Sequence, residues 1–336
     1  MKKFRAMHYL KRIALMVFIV TAFVSCSNDD DFLEKNAINQ NSGNSSDGSS
    51  TGQGTGNQSN NPIGNDGEIT LYKVSGDVIT KIQDYQVNGQ NLAFQQDIAK
   101  HNEIWELVKK IVPISYRTKM SEFLIYSGSA NQTAGFVVQT KQDLSEWKMG
   151  IAIDYAYQGA FNEGGELAYT VIHEFGHMLT LNNSQLDSSI SEASCTNYFP
   201  GEGCAKEAAY INKLQRSFWA DIWSQYQQAQ VSQSAMQGFY TTYNSRFVTQ
   251  YASTNPGEDI AEVFAVFVTR AGGVNGSSKA EQKIQLMYDH PELVALRNYI
   301  RGNISSRSLK GSFVLPAPGS WKQANRIGNP YKKCGH

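Results

Sequence analysis

No stretch of this 336-residue chain is apolar for the ~20 residues that a membrane-spanning helix needs. The main hydrophobic run, residues 13–24, is only 12 residues long. Basic charge is not in surplus either: 30 Lys plus Arg face 30 Asp plus Glu with no basic patch, which argues against nucleic acid as a partner. Cysteines number four, and Cys195, Cys204 and Cys334 lack the paired short-range spacing of structural zinc sites. Cys195 and Cys204 instead bracket an eight-residue segment, which suits a small disulfide loop in an oxidising compartment, with Cys334 left over as a competing partner. Of the six histidines, His8, His101, His290 and His336 fall in no partner pattern and read as structural or solvated.

What is present begins with an export signal. Lys2, Lys3, Arg5, Lys11 and Arg12 precede the apolar run, which ends at Val24-Ser25-Cys26. That ending resembles the lipobox of bacterial lipoproteins, and the resemblance implies that Cys26 becomes a lipidated first residue anchoring the chain to a membrane. Removing residues 1–25 takes five basic and no acidic residues, leaving 25 against 30 and a net charge near −5. Asp29-Asp30-Asp31, just behind Cys26, resembles a surface-export signal of outer-membrane lipoproteins, so a surface-exposed outer-membrane lipoprotein is expected, with a periplasm-facing or secreted protein as the alternative. Residues 36–67 are dominated by Asn, Ser, Gly, Gln and Thr, with too few apolar side chains to offset the entropy of ordering. Residues 26–67 therefore read as an anchor and flexible tether, and residues 68–336 as the folded domain.

Hydrophobic patterning assigns that domain to the α+β class. Residues 68–87 alternate as a hairpin turning at Ser75-Gly76-Asp77, residues 91–112 read as helix with Leu92, Ile98, Ile104, Leu107, Val108 and Ile111 near helical spacing and Pro113 as a stop, and residues 122–126, 134–139 and 147–155 are strand-like. A helix follows over residues 163–181, completing a first part, 68–181. The rest, 182–336, is mainly helical, over residues 205–230, 234–251, 257–271 and 279–300, the last interrupted at Pro291, before an irregular tail. Trp219, Trp223, Phe218, Tyr226, Phe239, Tyr240, Tyr243 and Phe247 stud these segments, and most of them are expected in the core.

The chemistry centres on Val171-Ile172-His173-Glu174-Phe175-Gly176-His177. Two histidines four apart on a helix share one face about one turn apart, which suits two neighbouring ligands on one metal ion. A catalytic zinc takes three protein ligands and leaves a fourth position for water, and Glu174 is placed to act as general base on that water. Gly176 costs about 1 kcal/mol of helix propensity against alanine, which points to close approach of another element.

The best source of a third ligand is residues 251–265. Pro256 after Asn255 marks a helix start, and Glu258 and Glu262 then lie one turn apart on a face among Ile260, Val263, Phe264 and Phe267. Burying two carboxylates there is costly without partners, which a metal and its histidine would supply. A first-turn acid also suits the helix dipole, so either Glu258 or Glu262 is open as the ligand.

His173-Glu174-x-x-His177 followed by Glu258-x-x-x-Glu262 resembles the gluzincin metallopeptidases, and residues 251–264 resemble the lethal-factor type among them. The resemblance implies a zincin-like fold, in which a small mixed sheet precedes the active-site helix and one edge strand, residues 134–139 or 147–155, pairs with an extended substrate. It implies one Zn2+ per chain held by His173, His177 and Glu258, with Glu262 orienting a ligand histidine and Tyr251 facing the scissile carbonyl. With the lipobox and tether, the whole is similar to zinc-binding metallopeptidase lipoproteins associated with outer-membrane nutrient import. The expectation is a monomeric zinc endopeptidase acting on peptide or protein at the cell surface, in the neighbourhood of an outer-membrane import complex. A surface lipoprotein binding peptide or glycan for such a complex, with structural or vestigial zinc, is the alternative; Glu174 and Tyr251, which a structural zinc does not need, weigh against it. A secreted effector cleaving one host protein is a third reading.

Overall fold

The computed structural model describes residues 61–62, 67–129, 133–163 and 165–304. The signal segment 1–25, Cys26, most of the tether, Cys334 and the tail from 305 onward lie outside the described residues. Among the described residues no helix is long and apolar enough to cross a membrane.

Strands β1 (Glu68–Ser75) and β2 (Val78–Asp84) form the hairpin, turning through Gly76-Asp77. Helices α1 (Gly89–Gln96) and α2 (Ile98–Ile111) follow where the spacing predicts a single helix. The division falls at Asp97, whose φ of −90° and ψ of 72° leave the helical region while its carboxylate accepts the Lys100 N–H at 3.2 Å and caps α2. A short polar side chain that bonds its own backbone competes with helix continuation. Leu92 in α1 and Ile98 at the start of α2 are each 39% exposed, outside the core that Ile104, Leu107, Val108 and Ile111 enter.

β3 (Met120–Tyr126), β4 (Gly135–Gln139) and β5 (Trp147–Ala152) complete a mixed five-stranded sheet of order β2-β1-β3-β5-β4. β3 and β5 are parallel, and the other neighbours are antiparallel. One face carries Ile69, Phe123, Ile125, Val137, Met149 and Ile151 into the main core. On the other face Leu124, Tyr126, Phe136 and Ala152 form a small separate cluster. β5 lies inside the sheet and β4 at its edge, a choice that alternation along each strand leaves open.

Helix α3 (Glu166–Leu181) packs behind the sheet, with Leu167, Val171, Met178 and Leu179 buried. Beyond it, Leu186–Asp187 pairs with Cys204–Ala205, and Cys195 is bonded to Cys204 with Cα atoms 5.4 Å apart. The helical part then comprises α4 (Tyr210–Phe218), α5 (Trp223–Ala229), α6 (Gln233–Tyr243), α7 (Pro256–Thr269), α8 (Lys279–Tyr288) and α9 (Pro291–Asn303).

Two long helices in the sequence reading are thus corrected. The one over 205–230 starts only at Tyr210 and bends at Trp219, which is fully buried with its ring centroid 5.0 Å from that of Tyr226 and 5.3 Å from that of Phe247. Burying that ring decides the backbone path against local propensity. The one over 234–251 stops at Tyr243, and Tyr251–Ser253 forms a separate turn of 3-10 helix.

α7 is the centre of this half. All of its residues from Pro256 to Thr269 are buried, which marks a helix inside a core rather than on a surface. It crosses α3 at Gly176, where an added Cβ would lie 3.2 Å from the Ala261 Cα and 3.3 Å from Phe264 Cδ1. The missing side chain lets the two helices approach closely enough for their polar groups to meet.

Candidate metal centre

Local chemistry starts α7 one turn before its first carboxylates. The Asn255 side chain accepts the Glu258 N–H at 2.9 Å, with Pro256 in the first turn, a combination of cap and preset φ that nucleates a helix. Glu258, Asp259 and Glu262 follow, all fully buried.

Glu258 points at the histidine face of α3. Its Oε2 is 3.3 Å from His173 Nε2 and 3.5 Å from His177 Nε2, and the two Nε2 atoms are 3.1 Å apart. His173, His177 and Glu258 are all buried, and together they form a group that could hold a metal ion. Three atoms with lone pairs aimed at one small volume repel one another unless a cation or shared protons lie between them. The donor set is two imidazoles and a carboxylate, all groups that ligate metal ions.

Glu262 occupies the opposite side of the His173 ring. Its Oε1 is 2.6 Å from His173 Nδ1, while its Oε2 accepts from Thr249 Oγ1 at 2.6 Å and from the Tyr169 hydroxyl at 3.0 Å. A carboxylate held at Nδ1 keeps the proton on that nitrogen and leaves Nε2 as a lone-pair donor, which also fixes the ring's orientation. Burial, reinforced by the Glu262 charge, raises the Tyr169 phenol well above its ordinary range, so it stays a hydrogen-bond donor. Of the two glutamates, then, Glu258 faces both Nε2 atoms and Glu262 braces the ring from behind.

Glu174 is buried on the same helix. Edge strand β4 passes close over it: a Cβ at Gly135 would lie 3.3 Å from Glu174 Cγ and 2.7 Å from Thr170 Cγ2, so glycine is what allows the approach. Tyr251 is half-buried, with its ring centroid 5.9 Å from that of His173. The structure therefore brings His173, His177 and Glu258 together at one point, sets Glu262 behind the His173 ring and Tyr251 beside it, and buries Glu174 on the same helix under β4, with the Cys195–Cys204 loop inserted in the chain between the two helices.

Three further groups escape a reading of the sequence. Tyr169 lies one turn before His173 on α3, so helical spacing alone could have found it. Thr249 sits outside regular structure, with no signal in its neighbours. Asp259, next to Glu258, faces the other way: its Oδ2 accepts from Lys283 Nζ at 2.5 Å and from the Trp219 indole N–H at 2.7 Å. Lys283 lies entirely inside, its ammonium 4.3 Å from the Phe247 ring centroid. Burial pushes the Asp259 carboxyl up and the Lys283 ammonium down, while each opposes the other's shift.

His101 is buried in a structural setting: Nδ1 meets the Tyr72 hydroxyl at 2.6 Å and Nε2 the Phe94 carbonyl at 2.9 Å. No protein-family model matches the chain, and neither a curated protein nor a solved structure matches it.

Proposed function

We propose that this protein is a zinc-dependent metallopeptidase of the gluzincin type with a zincin-like fold. The observation that carries the reading is the convergence of His173 Nε2, His177 Nε2 and Glu258 Oε2 with mutual separations of 3.1, 3.3 and 3.5 Å. Tetrahedral coordination with bonds of ~2.0–2.2 Å sets ligand atoms roughly 3.4 Å apart, and the three separations bracket that value. The site is also of a catalytic rather than a structural kind: three protein ligands leave a fourth position, and a carboxylate, Glu174, follows the first histidine.

Zinc held there would polarise a substrate carbonyl and bring the acidity of a water towards neutral pH. The remaining chemistry belongs to the chain. Glu174 accepts a proton from the attacking water and passes it to the leaving amine nitrogen as the C–N bond breaks. Tyr251 donates a hydrogen bond to the oxyanion that develops on the carbonyl, an interaction worth roughly 2–4 kcal/mol in other enzymes. Glu262, with its donors, holds the His173 ring so that Nε2 faces the site. β4, at the edge of the sheet among the described residues and with Gly135 close to Glu174, could offer backbone groups to an extended peptide, which supports an endopeptidase.

The decisive experiment is Glu174→Gln. The variant should bind one Zn2+ as tightly as the wild type, by titration, and lose cleavage of a peptide library by more than a hundredfold; unchanged turnover overturns the assignment. The lipobox-like motif ending at Cys26 supports a site of action on the outer membrane, with Cys26 lipidated, the tether leading to the domain, and peptide substrates met outside near an import complex. Acyl labelling of the exported protein checks that placement.

A further inference from the structure

One hydroxyl touches both halves of this site. Thr249, 6% exposed, donates to Glu262 Oε2 at 2.6 Å and accepts the Ala252 N–H at 3.0 Å. Glu262 in turn meets His173 Nδ1 at 2.6 Å, and Ala252 is the second residue of the Tyr251–Ser253 turn. A threonine hydroxyl has one proton and two lone pairs, so both bonds can be made at once, while a carboxylate can only accept. The direction of each bond is therefore fixed: Ala252 N–H to Thr249 Oγ1, and Thr249 O–H to Glu262.

We propose that Thr249 is a positioning residue that places the Tyr251 turn and the His173 ring with respect to each other. This rests on the reading of Tyr251 as the oxyanion donor and His173 as a metal ligand. Tyr251 lies in a single turn of 3-10 helix, too short to fix its own orientation, and the Ala252 to Thr249 bond ties that turn to a carboxylate buried in α7. The same hydroxyl is one of two donors, with Tyr169, that hold Glu262 Oε2 while Oε1 holds the imidazole. Loss of the hydroxyl would loosen both the metal ligand and the oxyanion donor. Loss of the methyl alone would loosen neither.

The test compares wild type, Thr249→Ser and Thr249→Val in the full chain, after chelator treatment. Titration with Co2+, followed by its visible absorption, should show binding weakened ten- to a hundredfold in Thr249→Val, the range for loss of an outer partner of a ligand histidine, and by less than threefold in Thr249→Ser. Hydrogen exchange at the Ala252 amide should quicken at least tenfold in Thr249→Val and stay unchanged in Thr249→Ser. Neither readout needs an active enzyme, so a wild type that cleaves no peptide would defeat the proposed function and leave this test intact. Where peptide is cleaved, Thr249→Val should lower kcat at saturating metal, and the decrease should vanish in a Tyr251→Phe background. Wild-type Co2+ affinity with an unchanged Ala252 amide in Thr249→Val, or equal impairment in Thr249→Ser, overturns the proposal. A drop in thermal stability alone, with metal binding and exchange unmoved, overturns it equally, because that is the mark of a packing role.

Discussion

The two faces of α7 treat buried carboxylates differently. On one, Asp259 is matched within the chain by Lys283 and the Trp219 N–H, all three residues fully buried among Phe218, Phe247 and Phe239. On the other, one residue away, Glu258 meets two imidazole nitrogens whose own lone pairs point into the same volume. The first arrangement is closed: its cation is part of the protein and its bonds stay the same whatever the solution holds. The second is open, since its compensation comes from whatever cation or proton occupies the shared volume. The contrast separates a group whose charge is matched within the fold from a group that could hold a metal ion, on one helix and at nearly equal burial.

Breaking the closed side should have the largest effect on stability. Lys283→Met alone leaves Asp259 charged and buried, which costs about 3–5 kcal/mol, whereas Lys283→Met combined with Asp259→Leu should recover most of that loss. Urea denaturation of the three proteins measures it, and a double variant no better than the single one would mean that the pair does more than cancel charge. Closing the open side should come next: Zn2+ at a hundred times its Kd should raise the unfolding free energy by about 2.7 kcal/mol, with the gain absent in His177→Ala. Thermal unfolding with and without metal reads both.

The smallest effect concerns His101, a buried histidine on the closed pattern. Burial holds its imidazole below the usual value near 6.5, so the unfolded chain takes up this proton first as pH falls. Its contribution to stability is therefore complete above about pH 6.5 and is lost as the pH drops from there towards the folded value. Stability measured between pH 7 and 5 should fall less steeply in His101→Gln, which keeps one donor and one acceptor. An identical slope would assign the acid sensitivity to other groups.

Parts of this were legible beforehand because they are written in adjacent residues. The hairpin turn at Gly76-Asp77, the cap and proline at Asn255-Pro256 and the Cys195 and Cys204 bridge each depend on residues within a short stretch of chain. The break at Asp97 was hidden because a polar residue in a helix looks the same whether it faces water or caps the next segment. The bend at Trp219 was hidden for another reason: its ring is placed by Tyr226, Phe239 and Phe247, which compete with the helix for the backbone's path. Thr249 offered no signal, since its role consists of two bonds to groups 3 and 13 residues away.

By itself, then, the sequence determined the pieces: an α+β chain, two histidines on one helical face with Glu174 beside the first, and a capped helix opening on Glu258 and Glu262. These follow from backbone periodicity and capping, which act over one or two turns. Tertiary structure alone decided that β4 rather than β5 is the edge, that Glu258 faces both Nε2 atoms while Glu262 takes Nδ1, and that Thr249 joins the two. The physical reason is the crossing of α3 and α7 at Gly176: packing between segments some eighty residues apart sets the rotation of each helix, and that rotation assigns each carboxylate its nitrogen.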